Sequence, residues 1–311
     1  MAEAAKIPMA FIWRRLHSLT GLFLVLYLME HLLVNSQAAL FIGSDGNGFV
    51  EAVNGIHRLP YLPVIEAFLL GVPILIHAIW GVSYLFTGKI NTVGDTGATP
   101  YLPEYPRNHA YTWQRITSWI LLFGIAAHVV HMRFIEYPTS AQKGTSSFYM
   151  VRLHNDPGLQ TLSLRLGFKL YDEKQIQKDK TSLPKDNSDK SSSPVQKMEL
   201  EQQKDFVAAL EKHPLKEGEV IAVSPDFGTA ALLMVRDTFK MPVMLVLYTI
   251  FTLTACFHAF NGLWTGMITW GLTMTVRSQK LMRTLSTILL CLTAFLGLAA
   301  IWGTYWLNLY N

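Results

Sequence analysis

The sequence predicts an all-α membrane protein, a bundle of five transmembrane helices with a long, partly flexible extracytoplasmic loop. Half of the 311 residues are hydrophobic and only 15% are charged, a balance typical of integral membrane proteins. Five apolar runs are each long enough to cross a hydrocarbon core of about 30 Å as a helix. These runs cover residues 16–40, 61–86, 116–135, 241–270 and 281–307.

The short connections between the runs predict the orientation. Basic residues gather on one side, before the first run, between the second and third, and between the fourth and fifth: Lys6, Arg14, Arg15, Lys89, Arg107, Arg115, Arg277, Lys280 and Arg283. The connection between the first two runs contains a single Lys or Arg residue, Arg58. Because Lys and Arg accumulate in cytoplasmic loops, we expect a cytoplasmic N-terminus. No small-residue cleavage site follows a short apolar stretch, so we expect the first helix to be retained.

The connection between the third and fourth runs divides the chain. Residues 1–135 hold membrane helices one to three, 136–236 form an extracytoplasmic insertion, and 237–311 hold helices four and five. The middle of the insertion, about 172–204, is rich in Lys, Asp, Ser and Gln. That composition predicts a partly disordered segment. Residues 199–212 have the pattern of a short amphipathic helix on the membrane surface.

Four histidines lie deep inside four different apolar runs, where an isolated imidazole has no water to satisfy it. At about 1.5 Å per residue, His31 and His128 each lie roughly 18 Å from the inner entrance of their helices. His77 and His258 lie roughly 24 and 25 Å from the outer side, which is close to the inner face of a core about 30 Å thick. The sequence therefore predicts two histidine pairs at two depths.

Two stacked haems, each with two histidine ligands, would need this arrangement, since facing helices of a bundle can supply one axial ligand each. There is no Cys-x-x-Cys-His sequence, so the haem would be non-covalent and of b type. For any single histidine, a hydrogen bond to a neighbouring helix or a place in a proton path is an equal alternative.

Other classes of function lack support in the sequence. The glycine-containing segment 43–48 does not have the spacing of a dinucleotide fingerprint. Cysteine clusters for iron-sulfur ligation are absent, because the chain has only two cysteines. The net charge of +4 is explained by the cytoplasmic loops, so nucleic acid binding is not expected.

The segments around the four histidines resemble the five-helix, di-haem cytochrome b membrane-anchor subunit of bacterial succinate dehydrogenases and quinol:fumarate reductases. The resemblance covers nearly all of the membrane part. It is carried by Arg14-Arg15-Leu16-His17-Ser18-Leu19, Glu30-His31-Leu32, His77-Ala78-Ile79-Trp80-Gly81, Gln114-Arg115-Ile116-Thr117, His128, His258-Ala259-Phe260-Asn261-Gly262-Leu263-Trp264, Thr269-Trp270-Gly271 and Arg277-Ser278-Gln279.

The resemblance implies that His77 and His258 ligate the iron of an inner haem, and His31 and His128 that of an outer haem. His131 is a rival for His128, because it lies one turn later on the same helical face. The insertion of roughly a hundred residues departs from the family pattern, in which this loop is usually much shorter.

The implied function is to anchor a soluble flavoprotein subunit and an iron-sulfur subunit to the bacterial inner membrane and to pass their electrons to a quinone, commonly menaquinone. Residues that would face these partners are Arg14, Arg15, His17, Arg115, Arg277 and Lys280, although the same cations serve as the orientation signal. The direction of electron flow, from succinate or to fumarate, depends on potentials and partners.

Quinone chemistry needs titratable groups near an apolar cleft. Glu66, one turn into the second run, is the leading candidate for an outer quinone or proton path, and a water-facing interfacial Glu is an equal alternative. His17 and Ser18 at the inner edge are candidates for hydrogen bonds to a haem propionate or a quinone.

Two other classes of protein remain open. One is the cytochrome b anchor of another respiratory complex, of the hydrogenase or formate dehydrogenase type. The other is a transporter that uses intramembrane histidines as a proton relay. The run from His258 to Gln279 favours the succinate dehydrogenase type over both.

Overall fold

The computed structural model describes residues 7–89, 91–93, 99–144, 146–183, 193–212 and 214–310. Its α-helices are, in chain order, α1 Met9–Ser36, α2 Asn47–His57, α3 Leu62–Glu66, α4 Val72–Thr87, α5 Pro106–Val129, α6 Pro157–Leu166, α7 Glu173–Ser182, α8 Pro194–Glu211, α9 Phe227–Lys240, α10 Pro242–Thr269 and α11 Val276–Leu298. Tracts of π-helix at Ala67–Gly71, Val130–Ile135 and Ala299–Asn308 continue three of the helices.

Five helical spans in the described residues are long and apolar enough to cross a membrane, which confirms the predicted class of a multi-pass, all-α membrane protein. The spans are Met9–Ser36, Leu62–Thr87, Pro106–Ile135, Pro242–Thr269 and Val276–Asn308. Helices that begin well before their apolar runs do so at local start signals. Pro106 opens α5, where the missing N–H costs nothing, and the Thr275 hydroxyl accepts from the Ser278 amide at the start of α11.

The chain forms two compact units. The first takes the residues up to Leu33, Pro60–Ala127 and Leu247–Leu298, and the second takes Val34–Leu59, His128–Val246 and the residues from Ala299 onward. In the first unit, Leu32, Cys256 and Ala294 form a buried apolar cluster between α1, α10 and α11. Cys256 is buried, Cys291 is exposed, and both are free thiols.

The second unit contains a four-stranded antiparallel sheet that the sequence analysis did not predict. Its strands are β3 Thr139–Lys143, β4 Ser146–His154, β5 Lys169–Tyr171 and β6 Glu219–Ser224, in the order β3-β4-β6-β5, whereas the short pair β1 Thr92–Val93 and β2 Thr99–Pro100 belongs to the first unit. β4 and β6 pair over six residues, from Tyr149 opposite Ser224 to His154 opposite Glu219. The insertion is therefore a folded α/β unit over its described residues.

Much of the segment that composition predicts to be flexible is helical. A capping box formed by Asp172 and Gln175 starts α7, and another formed by Ser193 and Gln196 starts α8. Phe206 and Leu210 of α8 pack on the sheet with Met150, Ile176, Ile221 and Val223. The apolar residues of the 199–212 helix therefore bury against a sheet and not on a lipid surface. Residues 184–192 of the predicted flexible segment lie outside the described residues.

A buried ion pair connects three segments of the second unit. Arg236 is 1% exposed, and its two terminal nitrogens donate to the two carboxylate oxygens of Asp156 at 2.8 Å each. Its Nε donates to the Leu309 carbonyl at 2.7 Å, and Lys240 also donates to Asp156 at 2.8 Å. Burial raises the pKa of Asp156, but the hydrogen bonds and positive charges of Arg236 and Lys240 outweigh it and lower that pKa to about 2. This cluster ties the end of β4 to α9 and to the C-terminal segment.

Candidate functional site

The structure brings His77 of α4 and His258 of α10 together in the first unit. Their ring centroids are 6.2 Å apart and their planes are nearly perpendicular, at 83°. Two imidazoles that bind one metal ion through nitrogen bonds of about 2 Å have ring centres roughly 6 Å apart. The observed spacing is therefore suited to a shared metal ion.

The tautomer of His77 follows from its hydrogen bond. Its Nδ1 lies 3.0 Å from the backbone carbonyl oxygen of His17. A carbonyl oxygen can only accept, so Nδ1 carries the proton and Nε2 keeps its lone pair. The neutral imidazole is thus prepared to bind a metal through Nε2.

A side chain imposes the same tautomer on His258. Its Nδ1 lies 3.2 Å from Oγ1 of Thr117, and the Thr117 hydroxyl donates to the Trp113 carbonyl at 2.7 Å. Because that hydroxyl has a single proton, its oxygen accepts from Nδ1–H of His258. Nε2 of His258 is then also a free acceptor.

A polar network holds the backbone of His258 against α5. Gln114 donates to the His258 carbonyl at 3.2 Å, and Asn261 donates to the Gln114 side-chain oxygen at 2.6 Å and to the Ala110 carbonyl at 3.1 Å. Gln114, Thr117 and Asn261 lie within the motifs that carry the family resemblance, but the sequence alone assigns them no role. The sequence signal for such a role is that these polar side chains lie inside apolar spans, close to other motif residues.

His17 and Gly21 of α1 form one wall of the site. The His17 ring stacks on that of His77, with centroids 4.1 Å apart and planes 11° apart. A Cβ atom on Gly21 would lie 2.8 Å from Cε1 of His77, so only glycine lets the ring approach this closely. Ser18 accepts a hydrogen bond from the Trp270 indole at 3.1 Å, and Arg15 donates to the Thr269 carbonyl.

The helices that form this site carry several buried polar atoms that lack a hydrogen-bond partner within the described residues: Nδ1 of His17, Nε1 of Trp80, Nε of Arg115 and Nε1 of Trp264. Each such atom costs on the order of 1–3 kcal/mol unless a bound group satisfies it. Three of the four are N–H donors, which would suit a ligand that carries acceptor oxygens.

The residues present fit a b haem. Across the described chain, no group of three or more His, Cys, Asp or Glu side chains could hold a metal ion, but haem iron needs only two protein ligands. His77 and His258 offer two neutral imidazoles, and the unpartnered donors offer contacts for the carboxylates of a porphyrin.

His31 lies on α1 in the first unit, next to Tyr27. The two rings stack with centroids 5.5 Å apart, and the Tyr27 hydroxyl is 3.5 Å from Nδ1 of His31. Glu30 and Glu66 both lie close enough to Tyr27 to interact with it electrostatically. Glu66 is thus near the helix face that carries His31.

His128 and His131 both belong to the second unit, and the type of helix changes between them. α5 ends at Val129, and the π-helical tract Val130–Ile135 begins between the two histidines. Its wider i→i+5 turn rotates His131 away from the α-helical offset. His131 lines a cavity of about 50 Å³ with Glu136, Arg152, His154 and Asp237. The position of His131 relative to His128 therefore departs from the one that an unbroken α-helix predicts.

One curated protein is similar to this chain over most of its length. The match is 25% identical over 294 residues, and it covers 94% of this chain and 96% of the succinate dehydrogenase cytochrome b558 subunit of Bacillus subtilis strain 168. No protein-family model matches the chain. No solved structure matches it.

Proposed function

We propose that this chain is the cytochrome b subunit of a succinate dehydrogenase. In this role it anchors the flavoprotein and iron-sulfur subunits to the bacterial inner membrane, holds two b haems and passes electrons to quinone. The observation that carries the proposal is the His77–His258 pair, whose two rings are both held in the Nδ1–H tautomer. Similarity to a named cytochrome b558 subunit over nearly the whole chain supports it independently.

His77 and His258 are the proposed axial ligands of the inner haem. A bound b haem would supply one-electron transfer at this point. The protein's own contribution is to orient both rings through their Nδ1 hydrogen bonds. Stacking of His17 and the close approach at Gly21 further restrict the position of the His77 ring.

Substituting alanine for Gly21 tests whether the close contact between Gly21 and the His77 ring is needed for haem binding. Gly21→Ala places a methyl group 2.8 Å from the His77 ring, and we expect it to lower the content of the inner haem. Alanine is favoured over glycine in a helix by about 1 kcal/mol, so lost helix propensity cannot explain such a loss. Haem per purified chain measures the effect. The matched control is Gly71→Ala, where a Cβ meets nothing within 4 Å, and equal haem loss in both variants would contradict the role of Gly21.

His31 and His128 are the proposed ligands of the outer haem. The π-helical tract after Val129 and the cavity that takes His131 favour His128 over its neighbour. Tyr27 stacks on His31 and would restrict the orientation of its ring.

The proposed face for the soluble subunits is the end of the molecule that carries the basic connections, and we assign that end to the cytoplasm. Its candidate contacts are Arg14, Arg15, His17, Arg115, Arg277 and Lys280. Arg15 lies over the Phe11 and Trp270 rings at 4.8 and 5.1 Å, and Arg14 donates to the Tyr84 hydroxyl at 3.2 Å. These contacts give the two arginines defined positions before a partner binds.

Glu66 is the proposed acid for an outer quinone or proton path. Its electrostatic interaction with Tyr27 links it to the residues beside His31, within an apolar span. A quinone that is reduced takes up two protons, and Glu66 and Tyr27 could carry them. Menaquinone is the acceptor that the family resemblance implies. Ser18 and His17 remain the candidates at the other end, where Ser18 still has a proton to donate.

Purification through a tag on this chain tests the whole proposal. We expect two further polypeptides, one with flavin and one with iron-sulfur clusters, two b haems per chain by pyridine haemochrome, and reduction of at least one haem by succinate. Haem without succinate dehydrogenase subunits would instead favour a hydrogenase or formate dehydrogenase anchor. Absence of haem would favour a proton-relay transporter.

A further inference from the structure

We propose that Thr117 is a positioning residue that sets the ligand strength of His258, and through it the redox potential of one of the two haems. The inference rests on the proposed function, because it takes His258 as an iron ligand. Nothing in the family resemblance gives Thr117 a role. Among the described residues, Thr117 is the side chain that accepts a hydrogen bond from Nδ1 of His258.

Thr117 is held in the orientation that this role needs. It is 5% exposed, in an apolar span, and its hydroxyl proton is committed to the Trp113 carbonyl at 2.7 Å and the Gln114 carbonyl at 3.1 Å. The hydroxyl oxygen therefore accepts a hydrogen bond from Nδ1–H of His258, at 3.2 Å. When a buried histidine donates its Nδ1 proton in this way, Nε2 becomes more basic and donates its electron pair more strongly to a metal ion.

His77 and His258 differ in the type of group that accepts the hydrogen bond from Nδ1. The Nδ1 of His77 is bonded to a backbone carbonyl, which no side-chain substitution removes. The Nδ1 of His258 is bonded to a side-chain hydroxyl, so the sequence can tune this ligand by changing one residue. A hydrogen bond from Nδ1–H raises the basicity of the ring and favours the oxidised iron. Removal of the acceptor should therefore raise the potential.

Redox titration of the purified complex, followed by the absorbance of the b haems, tests the proposal. We expect Thr117→Val to raise one of the two midpoint potentials and leave the other unchanged. The expected change is on the order of three- to tenfold in the reduction equilibrium, about 30–60 mV for one electron. Thr117→Ser keeps the hydroxyl and should retain the wild-type potential.

Thr287→Val is the matched control. Thr287 is exposed, lies in another span, and donates to the carbonyl four residues earlier at 2.9 Å, as Thr117 does, but it contacts no histidine in the described structure. We expect both potentials to be unchanged in this variant.

Each result decides the proposal. A shift in Thr117→Val alone supports it, and so does loss of one haem in that variant when Thr117→Ser and Thr287→Val keep both. Unshifted potentials in Thr117→Val with both haems retained would overturn it, as would a Thr117→Ser variant that behaves like Thr117→Val. A wild-type protein without haem would overturn the proposed function itself, which separates the two failures.

Discussion

Replacing either His77 or His258 with alanine is expected to lower the haem content from two to one per chain. The rings lie 6.2 Å apart and both present Nε2 as an acceptor, so either change removes one of two ligands to the same iron. We also expect weaker assembly with the soluble subunits, because this pair is proposed for the inner haem. Pyridine haemochrome on the purified protein measures the haem, and subunit recovery measures assembly.

A double variant sharpens this test. If His77 and His258 share one iron, changing both should remove no more haem than changing either. Changing His258 and His31 together should remove both haems. His109→Ala is a control, since His109 is exposed and its Nε2 lies near the Pro103 carbonyl. Two haems retained after either single change would contradict the ligand assignment.

Replacing Arg236 with methionine is expected to destabilise the second unit by about 3–5 kcal/mol. The change removes a buried guanidinium that bonds both oxygens of Asp156 and the Leu309 carbonyl, and it leaves the carboxylate with Lys240 as its remaining cation. Urea unfolding in detergent, read by pulse proteolysis of the 139–240 region, measures the effect.

Arg165→Met provides the comparison. Arg165 and Asp45 also pair, at 3.0 Å, but the Arg165 side chain is 39% exposed. Exposed pairs contribute about 0–1 kcal/mol, so this variant should unfold close to wild type. Adding Asp156→Asn to Arg236→Met should restore part of the lost stability, because it removes the buried charge. Equal loss in both arginine variants would contradict the importance of burial.

The pKa of Asp156 gives the same cluster a pH dependence. Burial alone would raise the pKa, but Arg236 and Lys240 lower it from 3.8 to about 2 in the folded state. The stabilisation from its ionised form is therefore complete above about pH 4 and lost as the pH falls toward 2. The difference in stability between wild type and Arg236→Met should narrow over the same interval.

The membrane part of the fold could be predicted because its information is local. An apolar run of sufficient length specifies a span, and a helical rise of about 1.5 Å per residue converts sequence position into depth. His77 and His258 were expected at one level by this argument, and the structure brings their rings together. The predicted helix starts were less accurate, since proline and capping residues outside the apolar run set them.

The sheet of the second unit could not be predicted in the same way. β4 pairs with β6 across more than sixty residues, and β5 lies on the far side of β6. Average composition predicts disorder for the segment between β5 and β6. Capping boxes instead start α7 and α8 within that segment. α8 also packs on the sheet through Phe206 and Leu210. Such pairing depends on distant segments that no local pattern identifies.

Apolar length alone identifies the five membrane spans, and together with the helical rise it predicts the depths of four histidines. The atoms that hold His77 and His258 depend instead on how the helices pack. The His17 carbonyl and the Thr117 hydroxyl belong to neighbouring helices, and helix packing alone brings them within 3.0 and 3.2 Å of Nδ1 of His77 and His258. A hydrogen bond acts over one atomic contact, so its partners are set by how helices pack and not by where residues fall along the chain.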